Sequence, residues 1–463
     1  MPAPAIRSRP RRAARLLRAG LLLGLALPGC RSPQPEAPPP NIVLISIDSL
    51  RPDHLGLYGY QRPTSPELDR IAADAVVFER AWSTTTWTLP SHLSMLTGLV
   101  PSAHGVRGHG HRLPESAQLL PELLAPAGYR SAAVVSGPFL SARFGYDQGW
   151  ESYDESLAAA DEESHDYDEV TSEELHGRAV ALLDRLAPGP FFLFLHSFDV
   201  HYDYIPPPPY DTMFDSGYEG AVDGRDFVER TLRRREMPMR DLEHLVALYD
   251  GEIRWVDGWI GRLYDELRRR QLLDRTLVVV TADHGDEFLE HRRFGHSNNL
   301  FDTTLRVPLI VRPPGGRPGG ERRAAPASLV DLVPTLLAAA GLETPAGLDG
   351  RDLLGAAGSG AGPRPVFAEL FTNRHAVVAG GWKAHLVRQG GKLSRRRTAL
   401  YDLERDPGEA DDVAGAAPDR AADLRQLAEQ HLDGAARRLE RIGTERAPRD
   451  EELEARLRAL GYL

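Results

Sequence analysis

The chain contains a single cysteine, Cys30, among 463 residues. A lone cysteine excludes an internal disulfide framework. Basic charge is also in deficit, with 55 Lys and Arg against 66 Asp and Glu and a formal net charge of −11. Without a basic face to neutralise phosphates, nucleic acid is not an expected partner. No internal repeat is visible, which excludes solenoid and propeller arrays. What remains is ordinary for a globular protein: 42% hydrophobic and 26% charged residues. The length suits one large α/β domain with a smaller appendage, or two ordinary domains.

The first thirty residues differ from the rest. Six arginines (Arg7, Arg9, Arg11, Arg12, Arg15, Arg18) precede the apolar run "LLLGLALPGC". A basic segment, a short apolar segment and small residues describe a signal peptide over residues 1–29. The apolar run is too short to span a bilayer as a helix. Leu27-Pro28-Gly29-Cys30 resembles the lipobox of bacterial lipoproteins. That resemblance implies cleavage before Cys30 and lipid attachment to it. Arg11-Arg12 leaves a twin-arginine export route open. Residues 30–40 then form a Pro-rich, semi-rigid tether. The expected location is outside the cytoplasm, anchored by lipid to a bacterial membrane on its periplasmic or cell-surface face.

"NIVLISID" (Asn41–Asp48) and "TLVVVTAD" (Thr276–Asp283) are continuous apolar runs ending in a carboxylate. Such runs suit strands buried on both faces. Residues 132–135, 191–196 and 307–311 repeat the design. Helical patterns lie between them, at 66–82, 117–127, 171–186, 241–271 and 328–340. The alternation predicts an α/β fold with a doubly wound, mostly parallel sheet over residues 41–355. From about Pro365 short β-like pieces predict a small antiparallel-sheet subdomain over 364–413, after the Gly/Ala-rich stretch 355–363. Residues 418–463 read as two charged amphipathic helices.

Ligands bind beyond the carboxyl ends of parallel strands. Asp48, His196 and Asp283 all occupy such positions. "TTTWTLPSHLSMLTG" (Thr84–Gly98) reads as the start of a helix, with Pro90 in its first turn and Gly98 as its stop. A helix N-terminus suits sulfate or phosphate oxygens. Thr88 would present its hydroxyl to that anion; read alone, the stretch is better explained by Thr88 capping the helix. "DHG" (Asp283–Gly285), together with Asp48, could grip one divalent cation: Ca²⁺, Mn²⁺, Mg²⁺ or Zn²⁺. A cation beside Thr88 would lower the pKa of its hydroxyl.

The order and spacing of these segments resemble the sulfatase family of the alkaline phosphatase superfamily. The resemblance rests on "NIVLISIDSLRPDHLGLYGY", "TWTLPSHLSMLTG", "FDVHYDYIPP", "TADHGDEF…FGHSNNLFDTTLRVPLIVRPPG", "LYDLERDPGE" and "LEARLRALGYL". It implies Asp48, Thr88, Asp283 and His284 as metal contacts and Thr88 as nucleophile. It implies His201 and His296 as anion-binding and proton-transferring groups. His92, Arg107 and Asp199 are further candidates for contact with a sulfated or phosphorylated ester substrate. A second metal held by Asp199, His201 and His296 is left open. Arg51, Arg107 and Arg306 are candidates for local positive charge.

Departures from the family pattern bear on function. Ser49 replaces the second acid of the opening pair. His284 stands where many sulfatases have asparagine, and this favours Mn²⁺ or Zn²⁺. His296 stands where many have lysine, and "SGPFLS" (Ser136–Ser141) stands where a Lys-x-His pair is expected. The family oxidises a Cys or Ser to formylglycine; threonine carries a methyl group on that carbon, so no formylglycine is expected. A phosphorylated threonine is released by attack of water or an acceptor alcohol. Thr88 therefore points toward phosphoryl chemistry, as in the phosphodiesterase and phosphoglycerol-transferase branches. A non-catalytic anion-binding member and a structural lipoprotein are the competing readings.

Overall fold

The computed structural model describes residues 38–158, 171–225, 227–231, 234–355 and 364–451. The signal segment, Cys30, most of the tether, most of the Gly/Ala-rich stretch and the final "LEARLRALGYL" lie outside the described residues. The described residues from Pro39 onward form one compact unit. No helix among the described residues is long and apolar enough to cross a membrane.

The main sheet is built from β1 (Asn41–Ile47), β2 (Val76–Phe78), β3 (Arg130–Val135), β4 (Ser152–Asp154), β5 (Phe191–Ser197), β6 (Thr276–Ala282), β7 (Leu309–Arg312) and β8 (Glu321–Arg323). Their order across the sheet is β8-β2-β7-β6-β1-β5-β3-β4. Strand β1 runs parallel to both β5 and β6, with Ile47 level with Ser197 and Ala282. That register brings Asp48, Phe198 and Asp283 out of the sheet side by side at its carboxyl edge. All seven residues of β1, β5 and β6 are buried, which explains their uninterrupted apolar sequences. Strand β7 pairs antiparallel with β6 and β2, and this makes the sheet mixed at one side.

Helices α1 (Pro66–Ala72), α2 (Thr88–Thr97), α3 (Ser172–Leu186), α4 (Met239–Arg269), the short α5 (Asp302–Leu305) and α6 (Leu332–Ala339) accompany the sheet. Three predicted helices shorten. Residues 66–82 do not form one helix: α1 ends at Ala72, and the β-branched Val76 and Val77 enter the sheet instead. Of 117–127 only Leu120–Leu124 is α-helical, with a 3₁₀ turn around Pro126. At 328–340 a 3₁₀ turn precedes α6. Residues 307–311 are split by Pro308, which has no N–H to give a ladder.

The C-terminal sheet is antiparallel: β9 (Val366–Leu370), β10 (Arg374–Ala379), β11 (Trp382–Gln389) and β12 (Lys392–Asp402), in that order. Alternation along β10 sends Ala376 and Val378 into the main core and Val377 toward a second core. There Leu424 and Ala428 of α7 (Pro418–Ile442) meet Leu386 and Leu400. The tail is therefore one helix within the described residues, followed by Glu445–Arg446, which pairs with His111–Arg112.

Candidate active site

Helix α2 begins directly after an extended Trp87, so Thr88 is its first residue. Thr88 is 2% exposed. Its hydroxyl does not cap the helix. Instead it donates to Asp48 Oδ2 at 3.3 Å and lies 3.4 Å from His284 Nε2. The helix is fixed to β6 by Ser91, whose hydroxyl donates to the Asp283 carbonyl at 2.8 Å.

Asp48, Asp283 and His284 converge from two neighbouring strand ends and are fully buried. Ser49 has φ 57°, a left-handed backbone. Its N–H donates to Asp283 Oδ1 at 3.2 Å, and the His284 N–H donates to the same oxygen at 3.0 Å. Asp283 Oδ2 is buried and has no hydrogen-bond partner. His284 donates its Nδ1–H to the Gly285 carbonyl at 3.2 Å, which leaves the Nε2 lone pair facing the carboxylates. Nε2 lies 3.2 Å from Asp283 Oδ2 and 3.6 Å from Asp48 Oδ1.

Burial, and then the charge of Asp48, push the Asp283 carboxyl far above its ordinary value. Burial also raises Asp48, but the His196 hydrogen bond and the charges of His201 and His284 hold it well below the carboxylate range. Burial pulls His284 down to about 3, so its imidazole is neutral and free to ligate. Two carboxylates, one aimed imidazole and one hydroxyl, with an orphaned carboxylate oxygen at their centre, fit a divalent cation.

His201 and His296 lie on the same side of this cluster. Their ring centroids are 5.0 Å apart, and His296 is 4.3 Å from His284. His296 donates Nδ1–H to Asp286 Oδ1 at 2.6 Å, while Tyr204 donates to Asp286 Oδ2 at 2.6 Å. Burial raises the Asp286 carboxyl, but His296 and His201 hold it below its ordinary value. His201 donates Nδ1–H to the Tyr202 carbonyl at 2.5 Å and stacks on Phe198 at 4.4 Å. Burial lowers its pKa to about 4.

Other expected residues stand elsewhere. Asp199 turns toward α3: its oxygens accept from Thr171 and Ser172 at the start of that helix. Among the described residues, His284, Asp286 and His296 form a further group that could hold a metal ion, with Asp286 beside His296 where Asp199 was expected. His92 lies beneath the site, donating to the Thr88 carbonyl at 3.0 Å and accepting from Ser46 at 2.9 Å. Burial lowers it to about 3, and its Nδ1–H holds the backbone of Thr88. Arg107 donates to the Pro101 carbonyl. Arg51 is tied to Asp53 and Glu290, and Arg306 to the Glu79 carbonyl. Sequence reasoning missed Asp286, although "DHGDEF" carried it. It also left His196 without a role; His196 Nε2 is 3.3 Å from Asp48 Oδ2.

A parallel sheet with this cluster at its carboxyl edge defines a hydrolase of sulfuric or phosphoric esters, with groups that could hold a metal ion. The chain belongs to the sulfatase family of the alkaline phosphatase superfamily: the family profile "Sulfatase" matches residues 40–342. Human arylsulfatase A is 29% identical over 474 aligned positions, covering 84% of this chain and 87% of the relative. An N-acetylglucosamine-6-O-sulfatase of Bacteroides thetaiotaomicron is 25% identical, covering 72% and 73%. The phosphonate monoester hydrolase of Agrobacterium radiobacter superposes with a TM-score of 0.69 at 23% identity, covering 86% of this chain and 96% of that one. A structure in complex with its substrate D-glucosamine-2-N,6-O-disulfate superposes at 0.70 and 20% identity, covering 86% and 98%. At these identities the structural likenesses carry the fold.

Proposed function

We propose that the chain is an exported, lipid-anchored ester hydrolase that uses Thr88 as its nucleophile and prefers phosphoryl to sulfuryl esters. The observation that carries this reading is the Thr88 hydroxyl, 3.3 Å from Asp48 Oδ2 and 3.4 Å from His284 Nε2, inside the set of metal-competent groups. A divalent cation bound by Asp48, Asp283 and His284 would supply Lewis acidity to the ester oxygens and favour the threonine alkoxide.

Thr88 Oγ1 attacks phosphorus in line as the bond to the leaving oxygen breaks. The first-turn N–H groups of α2 face the negative charge of the transferred group. His296 delivers a proton to the leaving oxygen; Asp286 fixes its tautomer and stabilises the imidazolium that precedes transfer. His201 stands beside His296, its ring held by the Tyr202 carbonyl and Phe198. Water or an acceptor alcohol then attacks phosphorus, gives its proton to the now neutral His296 and releases Thr88 as the Thr88 Oγ1–phosphorus bond breaks. A sulfated threonine lacks the internal release route of a hydrated aldehyde, which is why phosphoryl esters are favoured.

The test is paired turnover of an aryl phosphodiester and an aryl sulfate by protein lacking residues 1–30, with Mn²⁺, Zn²⁺ or Ca²⁺. Phosphodiester turnover abolished by Thr88→Ala is expected. Equal turnover in that variant would refute the nucleophile, and dominant sulfate turnover would refute the preference. Membrane fractionation of the full chain against Cys30→Ala tests the anchor; an unchanged distribution would refute it.

A further inference from the structure

The two histidines of the site depend on a carboxylate that lies outside it. His201 and Tyr204 belong to the loop that follows β5, between Val200 and Ile205. Glu252, in the middle of α4, spans that loop. Its Oε2 accepts from the Val200 N–H at 3.1 Å, and its Oε1 accepts from the Ile205 N–H at 2.7 Å. One carboxylate fixes the backbone on both sides of His201 and Tyr204.

The loop needs such a clamp. Val200 is fully buried and has φ 95°. A β-branched residue keeps a left-handed backbone only where its surroundings impose it. The helix makes room for the loop at Gly251, where a Cβ would sit 2.5 Å from the Tyr210 carbonyl oxygen and 2.9 Å from Pro206 Cγ. Glu252 is itself buried. Burial pushes its carboxyl well above its ordinary value; the Ile205 and Val200 N–H groups pull it back, and the charges of Asp199 and Asp203 add to the push. An apolar side chain would avoid that cost but would leave two buried N–H groups without an acceptor.

The clamp reaches both histidines. It fixes the backbone on either side of His201. Tyr204 lies inside the bracketed segment and donates to Asp286 Oδ2 at 2.6 Å, and Asp286 Oδ1 accepts the Nδ1–H of His296. The end of β1 is held separately. Tyr249, three residues earlier on α4, donates to the Ser49 carbonyl at 2.8 Å and accepts from the Arg51 N–H at 2.9 Å. Asp48 and its cation-binding neighbours therefore do not depend on Glu252.

Resting on the roles given to His201 and His296 above, we propose that Glu252 is a positioning residue for proton transfer to the leaving oxygen. Through Val200 and Ile205 it sets His201, and through Tyr204 and Asp286 it sets His296. It touches no substrate. Its loss should spare the metal group and penalise esters whose leaving oxygen most needs a proton.

The experiment compares 4-nitrophenyl and phenyl esters, each as phosphodiester and as sulfate, with wild type and Glu252→Gln. The amide keeps one of the two acceptors. Phenolate is the more basic leaving group and needs the proton more. In the variant, kcat should fall about tenfold further for the phenyl ester than for the nitrophenyl ester, with KM within about twofold. Metal content should match the wild type. An equal fall for both esters, a fall confined to KM, a fall that tracks lost metal, or no fall would each overturn the proposal. Amide hydrogen exchange in the wild type needs neither turnover nor the variant. The Val200 and Ile205 N–H groups should be protected like strand amides, and rapid exchange there would overturn the clamp even where the variant fails to fold. Should the wild type hydrolyse no ester of the set, the hydrolase reading fails. The clamp is then judged by exchange alone: protection over residues 200–205 that is lost in Glu252→Gln supports it, and equal exchange overturns it.

Discussion

Lys383→Met removes a fully buried ammonium that ties the C-terminal sheet to the helix packed on the loop that carries His284. Lys383 Nζ donates to Asp302 Oδ1 at 2.7 Å and lies 3.0 Å from Glu409 Oε1. Asp302 also accepts from Trp82 Nε1 at 2.9 Å, and its N–H donates to Glu409 Oε2 at 2.5 Å. Helix α5, which Asp302 opens, presses on the loop that carries His284. The Gly285 N–H donates to the Thr304 carbonyl at 3.0 Å, and a Cβ on Gly285 would sit 2.4 Å from the Thr303 carbonyl oxygen. Methionine keeps the stem but takes the ammonium away from the buried Glu409 and the part-buried Asp302. Breaking a buried pair from one side costs about 3–5 kcal/mol. A second route agrees. Burial pushes Glu409 up, yet Lys383 and His385 hold it at about 2 against an ordinary 4.5. A displacement of that size, shared between Lys383 and His385, is worth on the order of 3 kcal/mol. With an unfolding entropy of ~2.1 cal/mol/K per residue over ~400 residues, Tm should drop by ~4–6 °C.

The sign with pH follows from the depressed carboxyl. In the wild type the pair's contribution is full above pH 4.5 and is lost as pH falls toward 2. In the variant, only His385 and the Asp302 N–H still oppose burial, and Glu409 is easier to protonate. The deficit should therefore be largest at pH 7 and shrink on acidification. Denaturant unfolding at pH 7 and pH 4 measures it. Lys383→Met combined with Glu409→Gln should lose less than the sum of the two single variants. A loss below about 1 kcal/mol, a deficit independent of pH, or additive variants would refute this reasoning.

Three further outcomes are expected. Asp283→Asn should weaken divalent metal binding at least about tenfold, read as metal content after dialysis, because the orphaned Oδ2 is replaced by an uncharged group. Asp286→Asn should lower kcat about 10–100-fold with little change in KM, because it frees the His296 tautomer; equal loss in both parameters would contradict that role. Asp199→Ala should cost about 1–2 kcal/mol of stability through the α3 cap and leave metal content unchanged; metal loss would restore it as a ligand.

The parallel core was legible because β1, β5 and β6 are buried on both faces and so read as unbroken apolar runs. The carboxylates at their ends located the cluster for the same reason. Residues 66–82 misled because helical spacing continued through Val76 and Val77, whose place was decided by sheet partners remote in sequence. Asp199 misled because its proximity to His201 in sequence gave no hint that its oxygens turn back to α3. Asp286 was hidden by adjacency: beside Asp283 and His284 it read as one more loop acid, and only the fold brings His296 and Tyr204 onto it. Glu252 carried no sequence signal at all, since a glutamate in a charged helix reads as solvated surface.

The central claim is that Thr88 becomes covalently esterified during turnover. Acid quenching during steady-state hydrolysis of an aryl phosphodiester, followed by peptide mapping, tests it most directly. The account predicts a phosphoryl group on the peptide containing Thr88, absent in Thr88→Ala and in unreacted enzyme. Sustained turnover with no modified Thr88, or a phosphoryl group found on another residue, would contradict it.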